Sequence, residues 1–172
     1  MWLKNKIMLK ETQNLIIAGP CAAETRDQVL QSAIQAKARN VDILRASLWK
    51  PRTRHISGTF QGVAYSGIPW LVEVAKMGIT PATEVIMPEH SGRVIRAIER
   101  DPELRGNERL MIWLGSRNQN DIIQERIGRQ IKDRPWVTLG IKNPMWDDPE
   151  HWIGSVEAVL KGGAKPEQLV LI

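Results

Sequence analysis

At 172 residues the chain has the length of one domain, residues 1–172, with enough chain to bury a substantial core. Hydrophobic residues make up 42% and charged residues 25%, and no apolar run approaches the roughly 20 residues that a membrane span needs. A net charge of +5 admits nucleic acid as a partner, but seven scattered Trp, one Tyr, one Phe and the lack of zinc-finger or recognition-helix patterns argue against it.

The opening Met1-Trp2-Leu3-Lys4-Asn5-Lys6 lacks the pattern of a signal peptide. Leu15-Ile16-Ile17-Ala18 is apolar at successive positions, as a strand buried on both faces should be. Gly19-Pro20-Cys21 breaks it; Cys21 is the single cysteine, which excludes an internal disulfide and fits a reducing cytoplasm. Thr25 and Gln28 stand at capping-box spacing, and Val29, Leu30, Ala33, Ile34 and Lys37 lay out a helical stripe that ends near Asn40. Val41 to Leu48 predicts the second strand. It runs into a basic stretch, with Arg45, Lys50, Arg52 and Arg54 separated by little besides the hydroxyls of Ser47 and Thr53. Cations so crowded repel one another unless an anion sits among them.

After the Gly-rich segment Gly58 to Gly67, a helix carries Ile68, Leu71, Val72 and Ala75 and stops at Gly78. Ile79 to Val85 predicts the third strand, with Pro81 weakening its start. Pro88 suits a first helical position, with Val94, Ile95 and Ile98 facing inward. Leu110 to Leu114 predicts the fourth strand, Ile123, Ile127 and Ile131 the next helix, and Trp136 to Ile141 the fifth strand. Asp148 is expected to cap a last helix that starts at Pro149 and turns Trp152, Ile153, Val156 and Val159 inward, and Gly162-Gly163 closes it. Gln168 to Ile172 predicts a sixth strand. The three His residues, His55, His90 and His151, show no ligand spacing and are expected at the solvent.

Alternating strands and helices imply an α/β fold with a parallel sheet, either doubly wound or closed as a barrel. Neither a P-loop nor a G-x-G-x-x-G turn follows the first strand, and polar residues follow every strand instead. That is how a (β/α)8 barrel builds a site, at the C-terminal ends of its strands. The barrel is the better reading. The strand ends then supply Cys21, Arg45, Lys50, Arg52, Thr53, Glu84, Arg117 and Lys142, at least five cations against one carboxylate. Each has a plainer reading: a lone Cys packs well as a small apolar group, and Glu84 can serve only to pair with an Arg. The coincidence across independent strands favours a site for a substrate with several negative charges.

In that order, Ile16-Ile17-Ala18-Gly19-Pro20-Cys21, Leu44-Arg45, Trp49-Lys50-Pro51-Arg52-Thr53, Phe60-Gln61-Gly62, Thr83-Glu84-Val85, Leu114-Gly115-Ser116-Arg117 and Gly140-Ile141-Lys142-Asn143-Pro144 resemble the class I 3-deoxy-7-phosphoheptulonate (DAHP) synthases. These enzymes open the shikimate pathway of aromatic amino acid biosynthesis by condensing phosphoenolpyruvate with erythrose 4-phosphate and releasing phosphate. The resemblance implies that Arg45, Lys50, Arg117 and Lys142 hold phosphoenolpyruvate, with Lys50 also protonating the aldehyde oxygen. It implies that Arg52 and Thr53 bind the erythrose phosphate and that Glu84 places the attacking water. Cys21 would ligate a divalent cation (Mn, Fe, Co or Zn) acting as a Lewis acid. The two substrates carry about five negative charges together, which fits the cations at the strand ends.

Two departures stand out. The loop from His55 to Thr59 is altered, and Ala64 stands where the family has Gly. The family also continues past the sixth strand, through a His-Arg-Gly segment, to further metal ligands. The sequence is therefore expected to be the N-terminal portion of such an enzyme, about six of the eight β/α units, from a truncated, split or incomplete gene. Expected consequences are low activity alone, weak metal binding, and two open sheet edges favouring a homo-oligomer or a complementing C-terminal fragment. Small phosphorylated substrates are the expected partners, in the cytoplasm, with neither nucleic acid nor membrane. The alternatives are an octulosonate 8-phosphate or sialate-type synthase, and a non-catalytic subunit completing its site with another chain.

Overall fold

The computed structural model describes residues 15–51, 60–118, 120–143, 147 and 149–172. Six strands form one parallel sheet: β1 (Ile17–Ala18), β2 (Ile43–Arg45), β3 (Thr80–Val85), β4 (Leu110–Leu114), β5 (Val137–Ile141) and β6 (Leu169–Leu171). Between them run α1 (Arg26–Ala38), α2 (Ile68–Lys76), α3 (Pro88–Arg100), α4 (Asp121–Ile131) and α5 (Pro149–Lys161). Neighbours in the sheet are neighbours in sequence from β1 to β6, with every pair parallel. A doubly wound sheet reverses its order at a switch point, and this one does not. Right-handed crossovers taken in one direction put all the helices on one side and curl the sheet into a half-barrel. No helix among the described residues is long and apolar enough to cross a membrane.

Register separates two faces, because side chains alternate along a strand. Leu44, Val85, Leu110, Ile112, Leu114, Leu139 and Ile141 join the large core beneath the helices. Ile43, Ala82, Met111 and Trp113 form a second, smaller cluster on the concave face. Arg45 pairs with Ala82, and Glu84 pairs with Trp113, so both charged side chains fall on that concave face.

Pro81 is accommodated because pairing with β4 starts only at Ala82, one residue later, where the missing N–H is not needed. Thr25 accepts from the Gln28 N–H at 3.1 Å, while the Gln28 side chain accepts from Glu24 rather than from Thr25 itself. Asp148, the expected cap of α5, lies outside the described residues, as do Arg52, Thr53, Arg54 and His55.

Three burial assignments are corrected, two inward and one outward. On α1 the buried residues are Val29, Ala33 and Ala36, whereas Ile34 is 50% exposed. On α5 they are Ser155, Val156, Ala158 and Val159, and Ile153 faces out. In both helices the face that meets the sheet takes small residues, and the nearby Ile lies off that arc. His90, expected at the solvent, is 6% exposed and stacks on Trp49, for a reason given below. Ala64 adopts φ 51°, a left-handed conformation that the family's Gly would take without strain.

The β5–β6 end of the sheet is locked by one buried amide. Gln168 Nε2 donates to the carbonyls of Ile131 (2.9 Å), Arg134 (2.9 Å) and Val137 (3.2 Å), and its Oε1 accepts from Lys165 N (3.0 Å). It thus joins the end of α4, the start of β5 and the approach to β6. Gln168→Leu keeps the volume but removes all four hydrogen bonds and takes from Lys165 N its acceptor, while the Ile131 and Arg134 carbonyls keep backbone donors, so a loss of about 1–3 kcal/mol is expected. Urea unfolding checks this, and an unchanged midpoint would contradict it.

Candidate functional site

The C-terminal ends of β1 to β5 open onto one cavity of about 530 Å³, lined among others by Cys21, Arg45, Lys50, Glu84, Arg117 and Lys142. Four cations drawn from three separate strand ends therefore surround one carboxylate and one thiol. Each of these six expected site residues is brought to the same place. Arg52 and Thr53 lie outside the described residues, although Pro51 lines the cavity beside them.

The turn after β1 lies directly against the end of β2. A Cβ on Gly19 would stand 2.3 Å from the Arg45 carbonyl oxygen, and its φ of 137° suits glycine. This close approach delivers Cys21 to the cations. Lys50 Nζ donates to Cys21 Sγ at 2.5 Å and lies 3.4 Å from the Cys21 carbonyl, which Arg45 also reaches at 3.4 Å. The hydrogen bond from Lys50 holds the Cys21 thiol below its ordinary pKa, against a smaller opposing effect of burial. Arg45 also spreads its guanidinium over the Trp113 ring at 5.3 Å, while its buried Nε finds no partner among the described residues. A buried donor of that kind is costly unless an acceptor arrives.

Glu84 answers to two opposed influences. Burial pushes its carboxyl above the usual range, and Lys50, Lys142, Arg45 and Arg117 pull it back without cancelling the effect. Its position also depends on Gly115, where a Cβ would stand 2.2 Å from Glu84 Oε1. Sequence reading missed that role for Gly115 and missed Trp113, whose place on the concave face follows only from register.

The loops carrying these side chains are cross-linked. Thr83 Oγ1 accepts from Leu48 N at 3.0 Å, tying β3 to the loop after β2. Asn118 Nδ2 donates to the Ile86 carbonyl at 2.9 Å, tying the Arg117 turn to the end of β3. The backbone N–H of Lys142 reaches the Leu114 carbonyl at 3.1 Å, and that of Lys50 reaches Gln61 at 3.0 Å. Lys142 and Arg117 are exposed at the mouth; Glu84 and Arg45 lie deeper.

A larger hollow of about 580 Å³ lies on the outer side between α4 and α5, near Asp121, Glu125 and Glu157. Its Glu125 is already bridged to Arg129 and Lys161, and no strand end opens into it. The chemistry is concentrated in the strand-end cavity.

Because Lys50 stabilises the Cys21 thiolate, alkylation of Cys21 by iodoacetamide in metal-free protein should rise with pH at an inflection below the ordinary thiol value of about 8.5. Lys50→Met should move the inflection back up. Identical profiles for the two proteins would show that the contact does not form.

The sequence model of the DAHP synthetase I family matches residues 3–98, more than half of the chain. A curated relative, phospho-2-dehydro-3-deoxyheptonate aldolase of Thermotoga maritima, is 30% identical over 122 residues, which are 69% of this chain and 36% of that protein. The solved structure of the Thermotoga maritima aldolase (DAHP synthase) superposes with a TM-score of 0.70 at 24% identity, covering 91% of this chain and 40% of its own. A truncated form of 3-deoxy-D-arabino-heptulosonate 7-phosphate synthase from the same organism gives a TM-score of 0.67 at 23% identity, covering 91% and 50%. The chain thus spans between 36% and 50% of the length of these relatives, and the structural likeness speaks for the fold. The family match runs through the turns that carry Cys21, Arg45, Lys50 and Glu84, the part of the cavity built by β1 to β3, and the chain belongs to the DAHP synthetase I family.

Proposed function

We propose that this chain carries the phosphoenolpyruvate subsite of a DAHP synthase, which joins phosphoenolpyruvate to erythrose 4-phosphate and releases phosphate. The observation behind this reading is the convergence of Arg45, Lys50, Arg117 and Lys142 on one cavity around Glu84. Phosphoenolpyruvate offers a phosphate and a carboxylate close together, and Arg and Lys donors suit both groups. The Arg45 Nε, without a partner among the described residues, gains an acceptor when such an anion enters.

In the reaction, the methylene carbon of phosphoenolpyruvate attacks the aldehyde carbon of erythrose 4-phosphate, and the aldehyde oxygen takes a proton from Lys50. The middle carbon of phosphoenolpyruvate becomes electron-poor, and a water held by Glu84 adds to it. Loss of the phosphate by carbon–oxygen cleavage then leaves the ketone of the product. An anion bound among the four cations offsets their pull on Glu84, so burial raises the carboxyl further and makes it a better proton acceptor. Arg52 and Thr53 are assigned to the erythrose phosphate by family resemblance. The match to the DAHP synthetase I family and the relative's name favour this reading over an octulosonate or sialate-type acceptor.

The resemblance also implies a divalent cation held by Cys21. The lowered pKa of that thiol suits ligation, but among the described residues no group of three or more His, Cys, Asp and Glu gathers to hold a metal. A single thiolate, itself bonded to Lys50, does not make the three or four ligands that a catalytic metal needs. The described residues therefore do not fit a complete metal site, and no step above is routed through one. Soluble, cytoplasmic action on small phosphorylated substrates belongs to the same reading, as does assembly with further copies or a complementing chain.

Titration calorimetry should find that the chain binds phosphoenolpyruvate more tightly than inorganic phosphate. Arg117→Met and Lys142→Met should each weaken that binding by about tenfold, the scale of one charge-assisted hydrogen bond. Binding no tighter than that of inorganic phosphate, or unaffected by both substitutions, would sink the assignment.

A further inference from the structure

We propose that His90 is a positioning residue: its ring, lying flat on Trp49, fixes the turn that aims Lys50 into the cavity. The inference rests on the reading of Lys50 as a group of the phosphoenolpyruvate subsite. It starts from an oddity of sequence and burial. His90 sits in the first turn of α3, outside the strand-end cavity, yet it is 6% exposed. A polar ring buried there needs a reason.

The reason lies in its contacts. The ring centroids of His90 and Trp49 are 4.0 Å apart with planes 7° from parallel, a parallel stack. Tyr65 closes the arrangement edge-on, 5.6 Å from Trp49 and 5.8 Å from His90, and Arg93 Cζ caps the Tyr65 ring at 4.8 Å. On its other side His90 Nδ1 accepts from Ile86 N at 3.4 Å, which leaves the proton on Nε2. Burial holds the ring neutral by lowering its pKa, against the opposing field of Glu89.

Trp49 is the residue immediately before Lys50, and Ile86 follows the strand end that carries Glu84. His90 therefore joins two loops, one bearing the site's ammonium group and the other its carboxylate. With Trp49 clamped, the chain leaving Leu48 has one direction to take, and Lys50 Nζ arrives on Cys21 Sγ. Without the ring beneath it, Trp49 would lose its flat partner, and Lys50 could swing away from like-charged Arg45.

Two measurements test this, one independent of any ligand. In the first, iodoacetamide alkylation of Cys21 is timed at a fixed neutral pH in wild type, His90→Ala, His90→Asn and His90→Phe, with Val94→Ala as a control. Val94 is a fully buried core residue of the same helix that takes no part in the stack. Loss of the Lys50 contact should slow alkylation about threefold or more in His90→Ala and His90→Asn. His90→Phe keeps a flat ring on Trp49 and should retain the wild-type rate, as should Val94→Ala despite its lower melting temperature. In the second, phosphoenolpyruvate affinity should fall about tenfold in the same two variants and recover in His90→Phe. Equal alkylation rates in all five proteins, or a loss shared by Val94→Ala, would overturn the inference. If the alkylation pattern holds while wild type fails to bind phosphoenolpyruvate, the positioning of Lys50 stands and the ligand assignment falls.

Discussion

Mutual repulsion among Arg45, Lys50, Arg117 and Lys142 is the constraint around which this structure is arranged. Like charges brought together at a strand-end cavity raise the energy of the folded chain, with Glu84 and the Cys21 thiol beside them, among the described residues, to offset them. A flexible segment would let such charges drift apart. Here they are attached to the ends of β2, β4 and β5 of one parallel sheet, whose spacing and direction are set by backbone hydrogen bonds. The hydrophobic core beneath the helices supplies the stabilisation that makes this crowding tolerable.

The cost has a use. A cavity rich in donors, with the Arg45 Nε unpartnered among the described residues, suits the anion of the proposed reading. Glu84 belongs to the same balance. Burial and the surrounding cations act on it in opposite directions, so whatever neutralises the cations changes its protonation. The thiol of Cys21 shares the Lys50 proton donor, which couples the β1 turn to the β2 turn at the mouth of the cavity.

Precision comes from the loops rather than the strands. Leu48 bonds to Thr83, Asn118 to Ile86 and Lys142 to Leu114, each joining one strand end to its neighbour. The Trp49–His90 stack belongs to this set of lateral ties, although it is made of rings. Close approaches at Gly19 and Gly115 set the depth at which Cys21 and Glu84 sit. The described sheet remains open, with Ile17, Val170 and Leu171 exposed in its edge strands β1 and β6, as in a half-barrel that spans part of the length of its relatives.

The sequence alone determined the order of the elements and the chemistry at their ends. β4 falls at Leu110–Leu114 and α3 begins at Pro88, as read from an apolar run and a proline, because both signals are local to the backbone they govern. The convergence of Cys21, Arg45, Lys50, Glu84, Arg117 and Lys142 was legible too, since parallel strands in a barrel can only end on one side. Tertiary structure alone decided the rest. Periodicity placed Ile34 and Ile153 inward, but the way each helix packs put Ala36, Ser155 and Ala158 there instead. Register put Trp113 on the concave face beside Glu84, and close backbone approach gave Gly115 its role. Nothing near His90 in the chain announces a partner. Its burial depends on where the loop after β2 turns back to present Trp49, a distance in space that spacing along a sequence does not encode.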